Sequence, residues 1–99
     1  MNKYENVIIL KTNLTQQEQN KIIEQIEELI KRDADINQKI LLGVKKLAYQ
    51  IKKNNEGFYI VYQFTIKKEI SNYTDTIKNL EKFYRTHDEI IKFIIVKND

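Results

Sequence analysis

Gly43-Val44-Lys45-Lys46-Leu47-Ala48-Tyr49-Gln50-Ile51-Lys52-Lys53, then Asn54-Asn55-Glu56-Gly57, then Phe58-Tyr59-Ile60-Val61-Tyr62-Gln63-Phe64-Thr65-Ile66: two runs that alternate with period two stand around a cluster of turn formers, in the middle of a 99-residue chain. Alternation puts successive side chains on opposite faces of a strand. Phe58, Ile60, Tyr62, Phe64 and Ile66 share one face of the second run, and Tyr59, Val61, Gln63 and Thr65 the other. In the first run Leu47, Tyr49 and Ile51 alternate with Ala48, Gln50 and Lys52 and are expected in the core. Upstream, Ile40, Leu42 and Val44 take the opposite parity with Gly43 between them, which predicts a bulge there or a strand that twists past its sheet. The spacing thus predicts strands over Ile36–Lys53 and Phe58–Lys68 joined by a hairpin turn at Asn54–Gly57.

On either side of this hairpin the period changes to that of a helix. Ile22, Ile23, Ile26, Leu29 and Ile30 form one apolar stripe. Ahead of it, Thr15 and Glu18 have capping-box spacing, with Leu14 as a hydrophobic staple, so the helix starts there. Glu27→Lys31 and Glu28→Arg32 are i,i+4 pairs, each adding roughly 0.2–0.5 kcal/mol. Ile70, Tyr73, Ile77, Leu80, Phe83 and Tyr84 predict a second helix over about Ser71–Arg85, with Ser71 as N-cap. At the ends, Lys3–Lys11 (Val7, Ile8, Ile9, Leu10) and Glu89–Lys97 (Ile90, Ile91, Phe93, Ile94, Ile95, Val96) read as strands, the last preceded by a turn at Thr86-His87-Asp88.

The order is β-α-β-β-α-β over a single domain, residues 1–99. Each helical crossover joins parallel-running strands and should be right-handed. The expected fold is an α+β, ferredoxin-like sandwich: a four-stranded antiparallel sheet with both helices on one face. The first and third strands are then central, and the second is an edge guarded by Lys45, Lys46, Lys52 and Lys53. The face without helices leaves Tyr59 and Val61 open to a partner.

Composition removes several function classes. There is no Cys, hence no disulfide framework, thiolate metal site or cysteine nucleophile. No apolar run approaches the roughly 20 residues of a membrane span, and the first strand starts too early to leave room for a signal peptide. The lone His87 sits in a turn without a second ligand, and the lone Ser71 caps a helix without a base near it in sequence. Neither metal binding nor catalysis is expected, and no cofactor. Glu24, Glu27 and Glu28 are expected on the solvated face of the first helix.

Net charge is +3, and the 15 Lys, 10 Asn and 17 Ile share AT-rich codons, so the distribution of charge says more than its total. Residues 36–68 hold Lys39, Lys45, Lys46, Lys52, Lys53, Lys67 and Lys68 against Glu56 alone. A one-sign field on one element can steer a polyanion, while the same lysines can act simply to keep an edge soluble. Gly57-Phe58-Tyr59-Ile60-Val61-Tyr62 is a partial match to the first signature of RNA-recognition motifs, with Tyr4 and Tyr59 on the two central strands; Glu56 and Tyr59 depart from it.

Gly43-Val44-Lys45-Lys46-Leu47-Ala48-Tyr49-Gln50-Ile51-Lys52, with Gly57-Phe58-Tyr59, Lys3-Tyr4-Glu5 at the start and Ile90–Lys97 at the end, resembles the bacterial small-subunit ribosomal protein S-six (S6) family across essentially the whole chain. The resemblance implies a structural, non-enzymatic component of the cytoplasmic small ribosomal subunit, or of an organellar one. It implies binding to the central domain of small-subunit ribosomal RNA together with ribosomal protein S-eighteen (S18), with no membrane and no small-molecule substrate. Carried over by position, Lys3, Tyr4, His87, Lys92 and Lys97 fall at RNA, and Lys45, Lys46, Ala48, Tyr49, Ile51 and Tyr59 at the protein partner. Leu42, Gln50, Asn2 and Lys92 replace residues common in the family; Lys for Arg at 92 gives up bidentate reach toward phosphate. Two other classes share the topology. A small-molecule regulator of the ACT type wants a glycine-bearing loop at its ligand. An acylphosphatase-type enzyme wants an anion cradle after the first strand, where Lys11-Thr12-Asn13-Leu14 has neither Gly nor Arg.

Overall fold

Six elements occur in the expected order, β1 (Lys3–Leu10), α1 (Gln16–Asp33), β2 (Ala34–Ile51), β3 (Asn54–Ile66), α2 (Tyr73–Thr86) and β4 (Ile90–Lys97), in a computed structural model that describes residues 2–98. The strands form one sheet in the order β2-β3-β1-β4, every pair antiparallel. β1 and β3 are therefore central, and β2 and β4 are edges. Both helices pack on one face. Ile22, Ile26 and Ile30 of α1 and Leu80 and Tyr84 of α2 close over Ile8, Leu10, Ile60, Tyr62, Phe64 and Ile66. Each fully buried Ile of the α1 stripe contributes about 1.5–3 kcal/mol. Neither helix is long and apolar enough to cross a membrane.

The start of α1 follows the sequence. Glu18 N–H donates to Thr15 Oγ1 at 3.1 Å, and Thr15 N–H to Glu18 Oε1 at 2.9 Å, which holds the Glu18 carboxyl below its ordinary pKa. Helix α2 starts one residue later than expected. Asn72, not Ser71, is its N-cap, with the Asn72 side chain accepting from Asp75 N–H. Asn and Ser cap about equally well, so the sequence does not separate adjacent candidates.

The hairpin differs more. Its turn lies at Lys52-Lys53, both in the left-handed region (φ 49° and 66°), and Asn54 already begins β3. Asn54 Nδ2 donates to the carbonyls of Lys52 and Ile51 (3.0 and 3.3 Å) and holds the two-residue loop closed. Gly57 is buried inside the strand, not in the turn. The predicted bulge at Gly43 is present: the register shifts between Leu41 and Gly43, and Gly43 has φ +83°.

Two polar clusters tie the layers together. Asn6, on an otherwise apolar strand, is fully buried. Tyr84 OH donates to Asn6 Oδ1 at 2.5 Å, and Asn6 Nδ2 to the Ile94 carbonyl at 3.0 Å. Tyr62 OH donates to Glu27 Oε2 at 2.8 Å, and Lys39 of β2 pairs with the same oxygen. Glu27 is thus not simply solvated. Partial burial works to raise its pKa, but the bonds from Lys39 and Tyr62 outweigh that and hold it below the ordinary carboxylate value. Burial and the Glu27 carboxylate push the Tyr62 hydroxyl pKa well up.

Candidate nucleic-acid and protein interface

Past Lys46↔Glu56 the ladder skips to Ile51↔Asn54, so residues 47–50 stand opposite a single residue of β3. This stretch arches over the helix-free face instead of joining the core. The expected core placement of Leu47, Tyr49 and Ile51 is therefore corrected. Tyr49 is 66% exposed, and Leu47 and Ile51 are half-buried. The alternation also set Ala48 on the face opposite Leu47, Tyr49 and Ile51, yet all four line one hollow. What it could not give was that an extra-long β2 bends away from its partner strand.

The arch creates a hollow. Leu47, Ala48, Tyr49 and Ile51 face Val7 and Ile9 of β1, Tyr59 of β3 and Ile94 of β4 around a space of about 190 Å³, with Lys92 at its edge. Four of the six partner candidates, Ala48, Tyr49, Ile51 and Tyr59, meet here. Lys45 joins them, its Nζ 5.9 Å from the Tyr59 ring centroid, a cation–π arrangement. Lys46 lies outside the hollow, exposed opposite Glu56 on the edge strand. Val7, Ile9 and Ile94 are lining residues that the sequence read only as parts of β1 and β4, and Leu47 is one it read as core.

Three of the five RNA candidates come together at one end of the sheet. Tyr4 pairs with Lys97 across β1 and β4, and Asn98 N–H donates to the Lys3 carbonyl, so Lys3, Tyr4 and Lys97 share one end of the sheet. Lys97 Nζ stands 5.0 Å from the Tyr73 ring centroid. Tyr4 is turned to the helix side, 7% exposed and stacked on Phe64 with centroids 5.6 Å apart. Tyr4 and Tyr59 therefore lie on opposite faces, and a base-stacking platform of the RNA-recognition-motif type is not assembled. Lys92 sits five residues before Lys97, roughly 17 Å away along an extended strand.

His87 caps the C-terminus of α2 near Lys92 in sequence. Its ring stacks on Phe83 (3.8 Å between centroids), with Nδ1 2.7 Å from the Phe83 carbonyl. That carbonyl can only accept, so Nδ1 carries the proton and Nε2 is the nitrogen left for a ligand.

A second recess lies beyond Lys92. Lys52, Tyr84, Arg85, Ile90, Ile91, Lys92 and Phe93 surround about 250 Å³. The sequence reading placed Lys52 only as a guard of the edge strand and Arg85 only at the end of the second helix.

Comparison with known proteins follows the same outline. A family model described as Ribosomal protein S6 matches residues 3–97. The chain is 39% identical over 98 residues to the small ribosomal subunit protein bS6 of Campylobacter jejuni strain RM1221, covering 98% of this chain and 74% of that one. It is 34% identical over 97 residues to the bS6 of Alkaliphilus oremlandii, covering 98% and 97%. Among solved structures, the crystal structure of 30S ribosomal protein S6 from Thermotoga maritima superimposes with a TM-score of 0.85 at 29% identity, covering 98% of this chain and 87% of that chain.

Proposed function

Because this chain belongs to the ribosomal protein S6 family, and so is a structural protein of the small ribosomal subunit, we propose that it binds the central domain of small-subunit ribosomal RNA jointly with ribosomal protein S18. The observation that carries this reading is the hollow on the helix-free face. The segment that most resembles the family signature, Lys45–Ile51, arches there over Tyr59 and beside Lys92. Apolar anchors inside a polar rim are what a protein partner needs. Exposed lysines on the adjoining strand are what an RNA backbone needs.

In this division of labour Ala48, Tyr49, Ile51 and Tyr59 take the partner's apolar side chains, and Lys45 and Lys46 set its approach. Lys3, Tyr4 and Lys97 form one RNA contact, Tyr4 through what its stacked ring leaves at the surface. Lys92 and His87 supply separate contacts beyond it. A Lys supplies a point charge to phosphate. No reaction is involved; the protein acts by holding RNA and partner in one geometry.

Filter binding with a central-domain RNA fragment, with and without S18, tests the reading. Affinity is expected to fall with salt at a log–log slope of about −0.7 to −0.9 per phosphate neutralised, and to rise sharply when S18 is present. Binding without salt dependence and without a partner effect would overturn the proposal.

A further inference from the structure

We propose that Lys52, Arg85 and Lys92 form a phosphate-binding subsite for the RNA backbone. This rests on the RNA-binding reading above and adds two residues and a geometry to it.

The three cations come from three elements, the β2–β3 turn, the last turn of α2 and β4, and converge on one recess of about 250 Å³. None of them forms an ion pair with a carboxylate among the described residues. Three like charges around one recess repel each other unless an anion occupies it. Arg85 is also held in place: its guanidinium lies 5.6 Å from the Phe93 ring centroid. A guanidinium fork placed at the recess can donate to two oxygens of one phosphate.

The backbone at Lys52 is an independent sign. A two-residue turn with positive φ at both positions favours Asn and Gly, because a longer side chain crowds the backbone there. This turn uses Lys52 and Lys53 instead. Strain kept at a position that also presents a charge to a recess is strain a function can account for. Lys53 shares the conformation and the charge but does not line the recess, so the two lysines separate turn strain from phosphate binding.

The test compares Lys52→Asn, Lys52→Arg and Lys53→Asn in the full chain. Salt-dependent binding to the central-domain RNA fragment with S18 and thermal melting are both measured. Lys52→Asn is expected to weaken RNA binding roughly five- to tenfold at low salt. Its log–log salt slope should be shallower by about 0.7–0.9, and its melting temperature higher by roughly 2–5 °C, since Asn tolerates the left-handed region. Lys52→Arg should keep the wild-type slope. Lys53→Asn should melt higher as well but keep the wild-type slope. A wild-type slope in Lys52→Asn, or an equal loss of slope in Lys53→Asn, overturns the subsite while leaving the RNA reading standing. Absence of salt-dependent binding by the wild-type chain overturns both.

Discussion

Replacing Gly57 by Ala is expected to destabilise the fold by about 1–3 kcal/mol. A Cβ at Gly57 would stand 2.2 Å from Ile9 Cγ2, and 3.5 and 3.6 Å from Ile91 Cδ1 and Leu47 Cδ2. Ordinary carbon–carbon contact lies at about 3.5–4.0 Å. The last two contacts are therefore acceptable, and the first requires Ile9 or the β3 backbone to move by more than about 1 Å. Ile9 is 5% exposed and paired on both sides, to Tyr59 and Lys92, so neither can move freely. For a domain of this size the penalty is a fall of roughly 5–20 °C in melting temperature, read by circular dichroism and by urea titration. The offending atom is the branch methyl of isoleucine, which Leu lacks. Gly57→Ala combined with Ile9→Leu should therefore lose less than the sum of the two single changes, by at least about 0.5 kcal/mol. A Gly57→Ala protein within about 0.5 kcal/mol of wild type, or strictly additive changes, would refute the reasoning. Ile9 and Leu47 also line the partner hollow, so Gly57→Ala should weaken S18 binding beyond what partial unfolding explains.

Three further outcomes follow from the polar clusters and the hollow. Tyr84→Phe leaves the buried Asn6 Oδ1 without its donor and should cost about 1–3 kcal/mol; adding Asn6→Leu should recover part of that in a urea-denaturation cycle, and strict additivity would contradict it. The carboxylate of Glu27 is stabilised in the fold, so its contribution is full above the ordinary carboxylate value of 4.5 and is lost as pH falls through its lower folded value. The stability gap between wild type and Glu27→Gln should therefore close on acidification below about pH 4.5, and a gap constant with pH would show that the ionised form is not what matters. Tyr49→Ala removes a side chain that is 66% exposed, so the melting curve should shift by no more than about 0.5 kcal/mol while affinity for S18, by titration calorimetry, drops at least tenfold; unchanged affinity would move the partner off this face.

The order of elements was legible because each stretch carries its own period: helical spacing from Ile22 to Ile30 and from Ile70 to Tyr84, period two from Phe58 to Ile66. The hairpin tip was not. Asn54-Asn55-Glu56-Gly57 holds stronger turn formers than Lys52-Lys53, yet placing the turn there would take Gly57 from the one point in the sheet where Ile9 leaves no space for a Cβ. The glycine serves close approach, and Asn54 serves the turn through its side chain. The core role read for Leu47, Tyr49 and Ile51 failed for a related reason. Period two says which residues share a side, and says nothing of a strand that outruns its partner and curls back. Asn6 was hidden among Val7, Ile8, Ile9 and Leu10 because its partner, Tyr84, is 78 residues away. Lys52 was read as an edge guard and Arg85 as a helix end, because their convergence exists only in three dimensions.

Lys92 joins the two halves of the proposed interface. It lines the apolar hollow beneath Tyr49 and Ile51 and also the cationic recess with Lys52 and Arg85. A partner seated in the hollow removes water from one side of that ammonium group. Its attraction to a phosphate on the other side then strengthens, because the effective dielectric between them falls. Binding free energies are linked, so RNA held at the recess must favour the partner by the same factor that the partner favours RNA. On the proposed reading the two surfaces then act as one. The fold makes this arrangement available by stacking both helices on the same side of the sheet, which frees the opposite face for an arch of β2 to lie between an apolar hollow and a cluster of cations.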